Sequence, residues 1–125
     1  IEEGLSFAVS FKKEGGFIGK DALLKQKKEG IKKRLVQFIL DDPEPLLYHN
    51  EPIWRDDVIV GYITSGMFGH TIGRSIGMGY VNNDKGVTID FIKSGKYEIE
   101  IACKRYSAQA SLKPSYDPKN EKIKC

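Results

Sequence analysis

Between Arg34 and Leu112 the chain is a succession of short β-type segments separated by turn residues, with no helical periodicity between them. The segments run Arg34 to Leu40, Pro52 to Trp54, Val58 to Thr64, Ile76 to Val81, Val87 to Ile92, Tyr97 to Lys104 and Ser107 to Leu112. Turn chemistry falls at Asp41-Asp-Pro-Glu-Pro45, Arg55-Asp-Asp57, Asn82-Asn-Asp-Lys-Gly86 and Ser94-Gly-Lys96. Connections this tight join antiparallel strands, because a parallel pair needs a long crossover. Short antiparallel strands without helices to cover them close into a barrel or stack as a sandwich. The expected fold is mainly β: an antiparallel Greek-key β-barrel from about Lys32 to Leu112.

The first thirty residues have a different texture. Leu5, Phe7, Val9 and Phe11 alternate with Ser6, Ala8 and Ser10, the period of a strand, and Gly15-Gly16 ends it. A short helix is predicted over Gly19 to Gly30, with Asp21 as its cap, Lys25, Lys27 and Lys28 in its last turns and Gly30 as its exit. A boundary near Gly30 therefore divides a strand-helix appendage, residues 1–30, from a barrel domain, residues 31–125. After Leu112, Pro114 and Pro118 precede a polar run that reads as a surface tail. The start, Ile-Glu-Glu-Gly, has no initiator Met and no signal or transit pattern, so the chain reads as a piece of a longer protein.

A length of 125 residues suits one domain, and a net charge of +3 is too balanced to demand a polyanionic partner. The lysines gather on the predicted helix and in the tail. A nucleic-acid-binding barrel would instead interleave basic and aromatic residues along its strands, so no nucleic acid is expected. No apolar run is long enough to span a bilayer as a helix, and no membrane partner is expected. Two cysteines, Cys103 within a predicted strand and Cys125 at the end, suit a reducing compartment: the cytoplasm, or the mitochondrial matrix of a eukaryote. With His49 and His70 as the only histidines, no metal site is expected.

The stretch from Thr64 to Tyr80 carries glycines at 66, 69, 73, 77 and 79. It is no phosphate-cradling loop: only three residues separate Gly69 from Gly73, and no lysine precedes Ser75. Gly66 and Gly69 are read as positive-φ positions in an irregular connection, and Gly77 and Gly79 as strand positions against which something large packs. No nucleophile stands beside a base, and the pairs Asp41-Asp42 and Asp56-Asp57 fall in turns, so no catalytic residue is expected. Tyr48 and Tyr116, flanked by proline-containing loops, are candidates to stack on a flat ligand at a barrel rim.

Six pieces in register resemble the C-terminal part of aminomethyltransferase-like proteins: Phe17-Ile-Gly-Lys-Asp-Ala-Leu-Leu24, Arg34-Leu-Val36, Glu51-Pro-Ile53, Gly61-Tyr-Ile-Thr-Ser-Gly66, Ile76-Gly-Met-Gly-Tyr-Val81 and Pro114-Ser-Tyr-Asp-Pro118. Glu51-Pro-Ile-Trp-Arg-Asp56 and Gly69-His-Thr-Ile-Gly-Arg-Ser75 are more similar to the folate-binding halves of dimethylglycine and sarcosine dehydrogenases than to the free-standing glycine-cleavage T-protein. In such enzymes the resemblance implies that FAD oxidises an N-methyl amine to an iminium and that tetrahydrofolate takes the one-carbon unit as 5,10-methylenetetrahydrofolate. It implies a folate site shared among three subdomains, the last of them a barrel, with residues 1–30 ending the preceding one and upstream domains of the same chain as partners. Phe7 matches an aromatic position that lines the folate site. Tyr48 stands where T-proteins carry an arginine that pairs with folate. The flavin-binding and catalytic groups are expected upstream of Ile1, so the chain alone is expected to be inactive. The readings left open are a T-protein-like aminomethyltransferase and a regulatory relative that keeps the fold without catalysis.

Overall fold

In the computed structural model, which describes residues 1–124, six antiparallel strands close into a barrel in the order β1-β4-β3-β2-β5-β6. They are β1 (Lys33–Leu40), β2 (Pro52–Arg55), β3 (Val58–Gly69), β4 (Arg74–Asn82), β5 (Tyr97–Ile101) and β6 (Lys104–Ser111). Strands β2, β3 and β4 follow one another as hairpins and β1 returns beside β4, which is the Greek-key connection. The β2–β3 turn is Asp56-Asp57, both at positive φ (48° and 64°), the twist that a two-residue hairpin requires. Bulges between Ile53 and Trp54 and between Ile63 and Ser65 bend the sheet toward closure.

Alternation on these strands sends one face inward. Val36, Phe38 and Leu40 of β1, Ile53, Ile63, Val81 and Ile99 are at most 1% exposed and fill the interior, with Tyr97 and Ala108 at its margin. The long β1–β2 loop lays Leu47 over one end. Ser75, fully buried, donates its hydroxyl to the Pro45 carbonyl at 2.7 Å and pins that loop. The opposite end is plugged by α2 (Ile89–Ser94), whose Ile92 is buried. The barrel interior is thus filled by side chains and covered at both ends.

Gly77 and Gly79 do stand where bulky groups press on the sheet. A Cβ at Gly77 would meet Ile63 and Leu47 at 3.0 Å, and one at Gly79 would meet Ile53 at 2.6 Å. Five expectations are corrected. Gly66 and Gly69 lie inside β3 without positive φ, and are glycines because a Cβ there would strike Leu47 at 2.6 Å and Ile76 at 2.5 Å. Gly73, at φ 74°, makes the turn instead. Val87 to Ile92 is not a strand, because Thr88 accepts from the Phe91 amide at 3.0 Å and caps α2. Cys103 lies in the β5–β6 turn with Ala102, at φ 63° and 48°, not within a strand. Leu5 to Phe11 is not a strand either: Leu5–Ala8 is a 3₁₀ turn, entered through Gly4 at φ 79°, which turns the chain out of the extended path just after Glu2 meets the barrel. The predicted helix is present as α1 (Lys20–Glu29), with no buried residue, but Asp21 is not its cap: the helix starts from Gly19 at φ 85° with no side-chain cap, and Asp21 lies in the first turn.

Candidate ligand-binding groove

Strand β1 is the source of the site. Its pairing with β6 ends at Gln37↔Ser111, so the stretch from Lys33 to Val36 has β4 on one side and a free edge on the other. An unpaired edge has to be covered. The N-terminal strap does so in part: the Leu35 amide donates to the Glu2 carbonyl at 2.9 Å, Lys33 pairs with Glu2 at 3.6 Å, and the Tyr80 hydroxyl donates to Glu3 at 2.5 Å. That last bond raises the Tyr80 pKa, because it holds the phenol proton against a carboxylate.

Between the strap, this edge and the segment after β6 lies a groove of about 420 Å³. Leu5, Phe7, Leu35, Met78, Leu112 and Pro114 make it apolar, while Arg34, Gln37 and Lys113 add polar groups. Gln37 fixes the far wall, its Oε1 accepting from the Ser115 amide at 2.9 Å and the Ser115 hydroxyl at 2.7 Å. Phe7 is 86% exposed although it lines the groove, so one face of its ring is open to stack on a ligand.

The other expected site residues are placed differently. Tyr116, 48% exposed, follows Pro114 by two residues and has the Lys122 ammonium 4.7 Å over its ring, beyond the groove's lining. Tyr48, 62% exposed, lies on the β1–β2 loop with its amide donating to Glu51 at 2.8 Å, and it does not line the groove. Arg34 was missed, although it has a signal in the sequence: it shares the alternation phase of Val36, Phe38 and Leu40, a charge at a position that points toward the core.

A second polar cluster, on β2, β5 and β6, is self-contained. Trp54 donates to Glu100 at 2.8 Å, and Arg105 stacks on Trp54 at 3.5 Å while pairing with Asp57 at 2.8 Å. These groups satisfy one another and tie the strands together. Among the described residues no group of three or more His, Cys, Asp or Glu is placed to hold a metal ion.

Residues 33–117 match the model of the glycine cleavage T-protein C-terminal barrel domain. The chain belongs to that family. It is 38% identical over 126 residues to a human protein named sarcosine dehydrogenase, mitochondrial, and 43% identical over 125 residues to the mouse pyruvate dehydrogenase phosphatase regulatory subunit, mitochondrial. These matches cover 99% and 91% of this chain, but it spans only 14% of each relative's length. Among solved structures, the glycine cleavage system aminomethyltransferase T from Bartonella henselae superposes with a TM-score of 0.71 at 21% identity, covering 90% of this chain and 30% of that one. At that identity the likeness establishes the fold, and the T-protein barrel is the fold built above.

Proposed function

We propose that this T-protein-type barrel forms one wall of a tetrahydrofolate site in a longer FAD-dependent oxidoreductase that demethylates an N-methyl amine of the dimethylglycine or sarcosine type. The observation that carries the reading is the edge groove: an open Phe7 ring over an apolar floor, flanked by fixed polar groups, on a barrel whose interior is full. The family and the likeness to a sarcosine dehydrogenase support folate as the class of ligand. Tetrahydrofolate, when bound, supplies the nitrogen nucleophiles that accept the one-carbon unit. Phe7 stacks on a ring, Leu35, Met78 and Leu112 exclude water from one face, and Gln37 holds the wall beside it. Tyr116, two residues beyond the Pro114 of the groove, and Tyr48, on the β1–β2 loop, are exposed rings that supply further contacts from outside the groove. Residues 1–30, with an α1 that buries none of its residues here, belong to the subdomain that precedes the barrel. The compartment is the cytoplasm or, in a eukaryote, the mitochondrial matrix.

A groove open along one side buries too little of a ligand to offset the entropy of immobilising it, so the isolated chain is expected to bind weakly. Calorimetry with tetrahydrofolate should give tight binding to the full-length protein and binding at least about tenfold weaker to the chain alone, the step that about 1.4 kcal/mol makes. Phe7→Ala and Tyr116→Ala in the full-length protein should each cost about 1 to 3 kcal/mol, the scale of a well-buried side chain. Submicromolar binding by the chain alone refutes the shared site, and unchanged affinity in either variant removes that ring from it. The likeness to a phosphatase regulatory subunit supports a second reading, a regulatory protein that keeps the barrel without catalysis. Dye reduction by the full-length protein with sarcosine or dimethylglycine separates the two.

A further inference from the structure

The outside of the barrel has two unlike halves. On β5 the buried Tyr97 and Ile99 take the inward phase, so Glu98 and Glu100 face out beside Trp54 and Arg105 of the neighbouring strands. These charges answer one another: Glu100 accepts from Trp54, and Arg105 lies 4.0 Å from Glu98. On β1, β4 and β3 the inward phase belongs to buried residues such as Phe38, Val81 and Ile63, and the alternate positions face out. Register sets them in rows across the three strands: Ile39, Ile76 and Met67 in one, Gln37, Met78 and Ser65 in the next. Neither row holds a charge, and Met67 is 74% exposed. A charge-free apolar face opposite a charged one has the composition of a contact surface.

The segment before β1 points to what covers this face. The Glu2 carbonyl accepts from the Leu35 amide, and Leu5 and Phe7 then reach the side of Met78, where all three line one groove. Further along, the same segment carries apolar groups of its own without cover: Ile18 and Leu24 are exposed, and no residue of α1 is buried. The chain spans 14% of the sarcosine dehydrogenase to which it is similar.

We propose that the outer face of β1, β4 and β3 seats the folded unit to which residues 1–30 belong, with Met67 and Ile76 at the centre of the contact. The inference rests on the reading of the chain as a piece of a longer protein, and not on its ligand. A unit held on the same polypeptide needs no charges to steer its encounter, and apolar contact alone retains it. That fits a face with two exposed methionines and no ion pair to offer.

Methionine oxidation in the full-length protein reads the contact, because cleavage after Arg74 puts Met67 and Met78 on separate peptides. Hydrogen peroxide converts an accessible thioether to the sulfoxide. Met67 should oxidise at least about tenfold more slowly in the native protein than in the same protein unfolded in urea, the factor that about 1.4 kcal/mol of opening free energy makes. Equal rates overturn the proposal, since they leave Met67 as open as the barrel alone shows it. A photoreactive benzoylphenylalanine in place of Met67 identifies the occupant. Adducts within one polypeptide, to the unit that contains residues 1–30, support the assignment; adducts to a second copy or to a remote part of the chain overturn it. Calorimetry with tetrahydrofolate, run on the same preparation, keeps the two readings apart. Folate binding with Met67 open removes the contact alone, and a covered Met67 without folate binding removes the folate reading alone.

Discussion

Tyr97 is 4% exposed, packs edge-on against Phe38 at 5.4 Å between ring centroids, and buries a hydroxyl that has no hydrogen-bond partner. A buried donor left unpaired costs its desolvation, so Tyr97→Phe should stabilise the barrel by about 1 kcal/mol in urea unfolding. The same burial raises the Tyr97 pKa, against the opposing pull of nearby Arg55. The folded state therefore holds this proton more tightly than the unfolded chain does. That contribution is whole below the ordinary phenol value of about 10 and is lost as pH rises from there through the folded value. The Tyr97→Phe protein should lose less stability than the wild type between neutral pH and this alkaline window; equal losses would exclude Tyr97 as the titrating group.

Strands were legible wherever alternation and turn residues agreed, as in β1, where Val36, Phe38 and Leu40 mark the inward face and the two prolines after Leu40 end the ladder. Elements went astray where a local pattern had two outcomes. Val87-Thr-Ile-Asp-Phe-Ile92 has the branched side chains of a strand, yet Thr88 followed by Asp90 is also a helix start, and tertiary demand for a plug at the open barrel end decides between them. Thr88→Ala should therefore cost about 1 kcal/mol and loosen α2 first, seen as faster amide exchange at Phe91 and Ile92. Protection unchanged at both amides would mean that packing of Ile92 alone holds the plug. The turn at Ala102-Cys103 escaped notice because neither residue favours positive φ; the short β5–β6 connection imposes it. As for the groove, Phe7 was reachable only through resemblance, while Arg34 was visible as a phase error in β1. No reading of single residues places the strap of Glu2 and Glu3 against the free edge, because that contact links segments far apart in the chain.

At the scale of the whole molecule, the barrel closes by joining its first strand to its last: Leu40 pairs with Ala108 and Phe38 with Ala110. During synthesis β1 therefore leaves the ribosome long before its second neighbour exists, and the sheet remains open until β6 has followed. Loop closure over so much chain is slow, and an open sheet with two free edges is a template for association with other chains. A chain ended at Ala102, which keeps five strands and lacks β6, should be found in the pellet after expression, whereas one ended at Lys113 should remain in the supernatant. Recovery of the shorter chain as a soluble monomer would show that the five-strand sheet protects its own edges. The closing strand is therefore the latch of the molecule: a chain that stops within β6 leaves the edges of β1 and β5 bare, and any strand that meets them can take the place of the missing one.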